Sequence, residues 1–122
     1  MQLKKPLFPC PCCGYLVFTD GPGSYDLCPI CTWEDDLSQL RFARTCGANH
    51  VNLIEAQTNF ARFGNSDLGQ LVRARRPNES DQRDPAWRPL DVAKDEIEEQ
   101  IEGVDYGLTY PKDMTELYYW RR

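Results

Sequence analysis

Two Cys-x-x-Cys pairs, Cys10/Cys13 and Cys28/Cys31, stand fourteen residues apart near the start of the chain. No other feature restricts the fold as strongly, because four thiolates drawn to one ion define two tight turns and close the loop between them. Four soft sulfur ligands in this arrangement suit a tetrahedral zinc site. Pro11 and Pro29 each set φ directly after the first cysteine of a pair, and Gly14 permits a left-handed residue after Cys13. Thr32, at the matching place after Cys31, lacks that freedom, so the second turn is expected to leave differently. Between the pairs, the apolar "YLVF" (15–18), the turn signal "DGPG" (20–23) and the returning "SYDLC" read as a zinc-ribbon hairpin.

A rubredoxin-like iron site uses the same four thiolates, but nothing else in the sequence suggests electron transfer, so zinc is the expected cofactor and iron the alternative. Cys12 falls between two ligands with its side chain directed away from an ion held by Cys10 and Cys13; pairing through Cys12 is the alternative. A catalytic Cys-x-x-Cys sits at a helix N-terminus, whereas these flanks read as strand and turn, which argues against redox catalysis. Cys46 lies apart and reads as a small buried hydrophobe.

The start "MQLKKPLF" has lysines without a signal-length apolar run, and no segment reaches membrane-spanning length, so the expected location is the cytoplasm, with no membrane contact. A reducing compartment disfavours a disulfide framework for the six cysteines. At 122 residues, with 41% hydrophobic and 11% aromatic content, the chain has globular composition and is expected to form one domain, 1–122. The formal net charge is −5, which disfavours nonspecific nucleic-acid binding and favours a positively charged partner surface. Residues 41–90 are basic on balance and 91–106 strongly acidic.

The expected domain divides into a zinc-ribbon-like module over 6–36, a helical segment over 50–76, and a remainder over 77–122. In "NLIEAQTNFARFGN" (52–65), Asn52 can cap a helix, Glu55 stands at the third position and Gly64 can end it. Leu53, Ala56, Phe60 and Phe63 share one face and are expected to be core. Ser66 could begin a short second helix, stopped by Pro77. Residues 77–90 read as an extended loop pinned by Trp87. "DVAKDEIEEQIEGVDYG" (91–107) reads as an acidic amphipathic helix with Val92, Ile97, Ile101 and Val104 inward, and "TELYYWRR" as a last strand. The expected fold class is therefore small α+β: a hairpin with two Cys-x-x-Cys knuckles packed on two or three helices, with a C-terminal aromatic segment.

"FPCPCCGY", "YDLCPICTWEDD", "GANHVNLIEAQTNFARFG" and the following "RRP" together resemble the bacterial cysteine-rich CPCC family over about residues 8–77. Cys46 stands where that pattern has a glycine. The resemblance implies a small bacterial protein with a zinc-ribbon-like start and supplies no catalytic activity to carry over; proteins of this kind look like immunity partners in bacterial toxin systems.

Three functions compete at this point. The first is a non-catalytic protein-binding module: Cys10, Cys13, Cys28 and Cys31 hold the metal, while Glu34, Asp35, Asp36, Asp95, Glu98, Glu99 and Glu102 offer acidic surface to a protein partner such as a cognate toxin. The second is a nucleic-acid-associated zinc ribbon using Arg41, Arg44, Arg73, Arg75 and Arg76, opposed by the overall charge. The third is a thiol redox or hydrolytic enzyme, for which the single histidine, His50, has no nucleophile–base motif around it.

Overall fold

The computed structural model describes residues 6–122, apart from the side chains of 70–72. Two short antiparallel strands, β1 (Phe8–Pro9) and β2 (Leu16–Phe18), pair Phe8 with Phe18 and Pro9 with Leu16, with an irregularity between Phe8 and Pro9. Two further bridges extend this frame, Tyr15 with Arg83 and Leu27 with Glu34. Two α-helices follow, α1 (Leu37–Arg41) and α2 (Leu53–Phe63), then 3-10 turns at Leu68–Arg73, Gly107–Thr109, Met114–Leu117 and Tyr119–Arg121. The result is the small α+β, zinc-ribbon-like arrangement expected from the sequence.

Local chemistry explains both helices. Asp36 caps α1: its Oδ1 accepts from the Ser38 amide at 2.9 Å and the Ser38 hydroxyl at 2.7 Å, while its Oδ2 accepts from the Ala48 amide at 2.9 Å. The loop after α1 closes around Gln39, which is fully buried. Gln39 donates to the Thr45 and Val51 carbonyls and accepts from the amide and side chain of Asn49, so every hydrogen-bonding direction of its amide is used. In α2, Asn52 accepts from the Glu55 amide and donates to the Glu55 carboxylate. Gly64 ends the helix in the left-handed conformation at φ 78°.

Leu53, Ala56 and Gln57 form the buried face of α2, with Phe60 partly buried beside them. Phe63 instead is 57% exposed. At 3.6 residues per turn it lies about 80° round from Leu53 and in the last turn, beyond the packed face.

Residues 91–107 do not form the expected acidic helix. One turn closes where the Asp95 amide donates to the Asp91 carbonyl at 2.8 Å and another where the Val104 amide donates to the Ile101 carbonyl at 3.2 Å; the chain otherwise runs without helical structure to a 3-10 turn at Gly107. A helix here would set Asp95, Glu98, Glu99 and Glu102 at i,i+3 and i,i+4 spacing, where like charges oppose it. Instead, Arg88 takes Asp95 and Arg41 takes Glu98, two anchors from different parts of the chain. Ile97 packs on the core, while Val92, Ile101 and Val104 are exposed.

The tail also departs from expectation, forming 3-10 turns in place of a strand. Leu117, Tyr118, Tyr119 and Trp120 are all buried. A strand packed on one side buries only alternate residues, so four in succession require a winding path. With Trp33, Phe42, Ile30 and Leu53 they belong to the buried interior, and the Tyr118 and Trp120 rings stack at 4.6 Å. No helix is long and apolar enough to cross a membrane among the described residues.

Candidate metal centre

The two knuckles repeat one hydrogen-bond pattern. In the first, the Cys10 amide donates to the Tyr15 carbonyl at 2.9 Å and Gly14 donates back to Cys10 at 2.7 Å; in the second, Cys28 donates to Trp33 at 2.8 Å and Thr32 to Cys28 at 2.9 Å. Both close on a left-handed residue, Gly14 at φ 79° and Thr32 at φ 70°. The second turn therefore leaves as the first does, contrary to the expectation from a β-branched residue. Such a conformation costs a non-glycine residue about 1–2 kcal/mol. What holds Thr32 there is its hydroxyl, 2.8 Å from Asn65 Oδ1 and 3.2 Å from the Ser66 hydroxyl, while Ser66 donates its amide to the Cys31 carbonyl at 2.8 Å. The segment after α2 thus supports the second knuckle.

These turns bring the sulfurs of Cys10, Cys13, Cys28 and Cys31 within 4.8 Å of one another, all buried. Cys10 and Cys31 Sγ lie 3.6 Å apart and Cys13 and Cys28 Sγ 3.8 Å apart. A tetrahedron with metal–sulfur bonds of about 2.3 Å has edges of about 3.8 Å, so these separations fit one ion among four thiolates. They are far beyond the disulfide bond length of about 2.05 Å, and all six cysteines are free thiols. The four cysteines are positioned to bind a metal ion.

Burial pushes the Cys10 and Cys31 thiols well up from the ordinary range, reinforced by neighbouring sulfurs. Cys28 is held down by S–H donation from Cys10, Cys13 and Cys31, and the Cys31 amide points at its sulfur from 3.5 Å. Four thiolates gathered in so dry a place need a cation to offset their repulsion. Cys12 is fully buried outside the four-sulfur group, with its thiol raised mainly by burial and lowered in part by a hydrogen bond with Cys31. Cys46 is exposed, not buried as expected, with its thiol 3.4 Å from the His50 carbonyl.

The first knuckle is held from outside by residues 82–90. The Pro11 carbonyl accepts from both Gln57 Nε2 and Trp87 Nε1 at 3.0 Å each, and the Cys13 carbonyl accepts from Arg83 Nε at 2.8 Å. Asp84 joins this knuckle to the tail. Its amide donates to the Gly14 carbonyl at 2.8 Å, and its carboxylate accepts from Trp120 Nε1, Arg121 Nη2 and the Ala86 amide at 3.0 Å each. Sequence reasoning recognised Trp87 as a pin and missed Asp84, although an aspartate before Pro85 is a turn signal.

The expected acidic surface is divided. Asp35 is buried against the Ser24 amide and hydroxyl, and Asp36 is buried as the α1 cap. Asp95 pairs with Arg88 at 2.7 Å and Glu98 with Arg41 at 2.9 Å. Glu34 is half-buried, its backbone clasped by Asn49; Glu99 and Glu102 are exposed. The structure thus does not present the seven carboxylates as one face. Arg41, expected as part of a phosphate-binding patch, is enclosed by Phe42, Tyr106 and Tyr110, with its guanidinium 4.5–5.3 Å from their ring centres, and Arg75 pairs with Asp81 at 2.7 Å.

No curated protein matches the chain. The sequence pattern described as cysteine-rich CPCC matches residues 8–81, which include both knuckles, both helices and the following 3-10 turn. That match spans more than half of the sequence, so the chain belongs to the cysteine-rich CPCC family.

Proposed function

We propose that the chain is a non-catalytic protein-binding module stabilised by structural zinc, working in the bacterial cytoplasm as an immunity protein that neutralises a toxin. The observation that carries this reading is the buried four-cysteine cluster. Four protein ligands complete a tetrahedral coordination shell, whereas a catalytic zinc keeps a place for water or substrate. Bound zinc would supply charge neutralisation and a cross-link between the knuckles, both contributions to folding. The net charge of −5, with Glu99 and Glu102 exposed, supports a basic protein as the partner.

Two measurements test the reading separately. Elemental analysis of freshly purified protein is expected to find one zinc per chain, and a strong chelator to lower the unfolding temperature; metal-free protein with unchanged folding would remove the structural role. Capture from the native cell is expected to recover a basic toxin whose activity the chain blocks. Recovery of nucleic acid alone, lost as salt is raised, would replace the immunity reading with the nucleic-acid one.

A further inference from the structure

An open groove of about 610 Å³ lies between α2 and the segment 83–90. Its apolar walls come from Ile54, Phe60, Trp87 and Leu90, and its charged lining is Arg62 and Arg83 alone. Arg83 lies over the Tyr15 and Trp87 rings at 4.7 and 5.0 Å and reaches the Cys13 carbonyl through Nε. Neither arginine has a carboxylate partner among the described residues. The trough thus combines apolar walls with only positive charge, on a chain whose net charge is −5. It calls for an occupant with apolar anchors and carboxylates.

The same chain displays such a segment. Ile101, Val104 and Leu108 are 61%, 50% and 101% exposed, and the unpaired acids Glu99, Glu102 and Asp105 stand between and beside them. None of the three acids meets a basic side chain among the described residues. The Arg41–Glu98 pair fastens one end of the stretch, and the Tyr106 ring packs on Phe42 at 4.9 Å near the other. A fastened strip has less conformational freedom left to lose on docking than a loose one.

We propose that the groove receives residues 99–108 of a second copy of this chain, its apolar side chains against Phe60 and Trp87 and its carboxylates toward Arg62 and Arg83. One such contact is smaller than a standard protein interface, and a reciprocal pair related by a two-fold axis doubles it and closes the assembly. The association is weak and reversible, and it occupies the acidic strip that a basic partner would use, so self-contact and capture of that partner exclude each other. The proposal does not depend on the immunity reading.

Sedimentation velocity of the full, metal-loaded chain over a wide concentration range tests it. The expected result is a monomer–dimer equilibrium that weakens as salt is raised. Arg62→Glu and Leu108→Ser, both at exposed positions, should each weaken dimerisation at least tenfold while leaving metal content and unfolding temperature unchanged. A monomer at every concentration would overturn the proposal, as would an association that neither substitution shifts. Binding of a foreign protein through Arg62 by a chain that stays monomeric would assign the groove to that protein and likewise overturn the self-contact.

Discussion

A single methyl group at position 14 tests the account of how the metal loop is held. Gly14 is left-handed at φ 79°, and a Cβ built there meets three carbon atoms of the Trp87 ring at 2.4–2.7 Å. The indole cannot retreat without cost: its Nε1 is bonded to the Pro11 carbonyl, its amide to the Asp84 carbonyl, and the Arg83 guanidinium covers its face. Gly14→Ala therefore carries about 1–2 kcal/mol for the backbone and about 1–3 kcal/mol for forcing the ring aside, together about 2–5 kcal/mol. Thr32 shows that a side chain can occupy the left-handed position when its hydroxyl finds partners, which an alanine methyl lacks. Urea denaturation of the metal-loaded protein reads the loss, and a double-mutant cycle separates its parts. With Trp87→Ala present, Gly14→Ala should retain only the backbone portion, giving a coupling of about 1–3 kcal/mol. A loss below about 1 kcal/mol in the Trp87 background, or a coupling indistinguishable from zero, would refute the packing argument.

Two further substitutions probe the contacts around the centre. Burial raises the Asp84 carboxyl, but the Trp120 indole, the Ala86 amide and Arg121 outweigh it and leave the group below its ordinary value. Its contribution is thus complete above the unfolded pKa of about 3.9 and disappears as pH falls through the lower folded value. Asp84→Asn should lower stability by about 1.5–3 kcal/mol at neutral pH and flatten the acid limb below about pH 4, measured by urea titration across pH; parallel wild-type and variant curves would contradict the assignment. Arg41→Ala removes the pair with Glu98 and the guanidinium between three aromatic rings. Hydrogen exchange should speed up selectively in residues 98–110 with metal content unchanged, and uniform acceleration would show that Arg41 supports the whole fold.

Where structure was legible in the sequence, the determinants were local. The cysteine spacing, the prolines of the knuckles, and Asn52, Glu55 and Gly64 around α2 act within a few residues of themselves. The acidic stretch misled because hydrophobic periodicity was visible while the like-charge spacing of Asp95, Glu98, Glu99 and Glu102 opposed a helix, and because Arg41 and Arg88 act from distant positions. Thr32 misled for a related reason: its conformation is imposed by Asn65 and Ser66, more than thirty residues away. Asp35 and Asp36 read as surface because a run of acids does not reveal that Ser24, Ser38 and Ala48 will enclose them. Trp120 finds Asp84 only after the chain has closed on itself, so a stretch dense in aromatics could be recognised without its path being known.

One oxygen atom joins the groove to the centre. The Pro11 carbonyl sits between the first two ligands and receives Gln57 from α2 and Trp87 from the groove wall. An occupant that displaced that indole would pull on the turn between Cys10 and Cys13, and the release rate of a bound metal is then expected to change with what the trough holds.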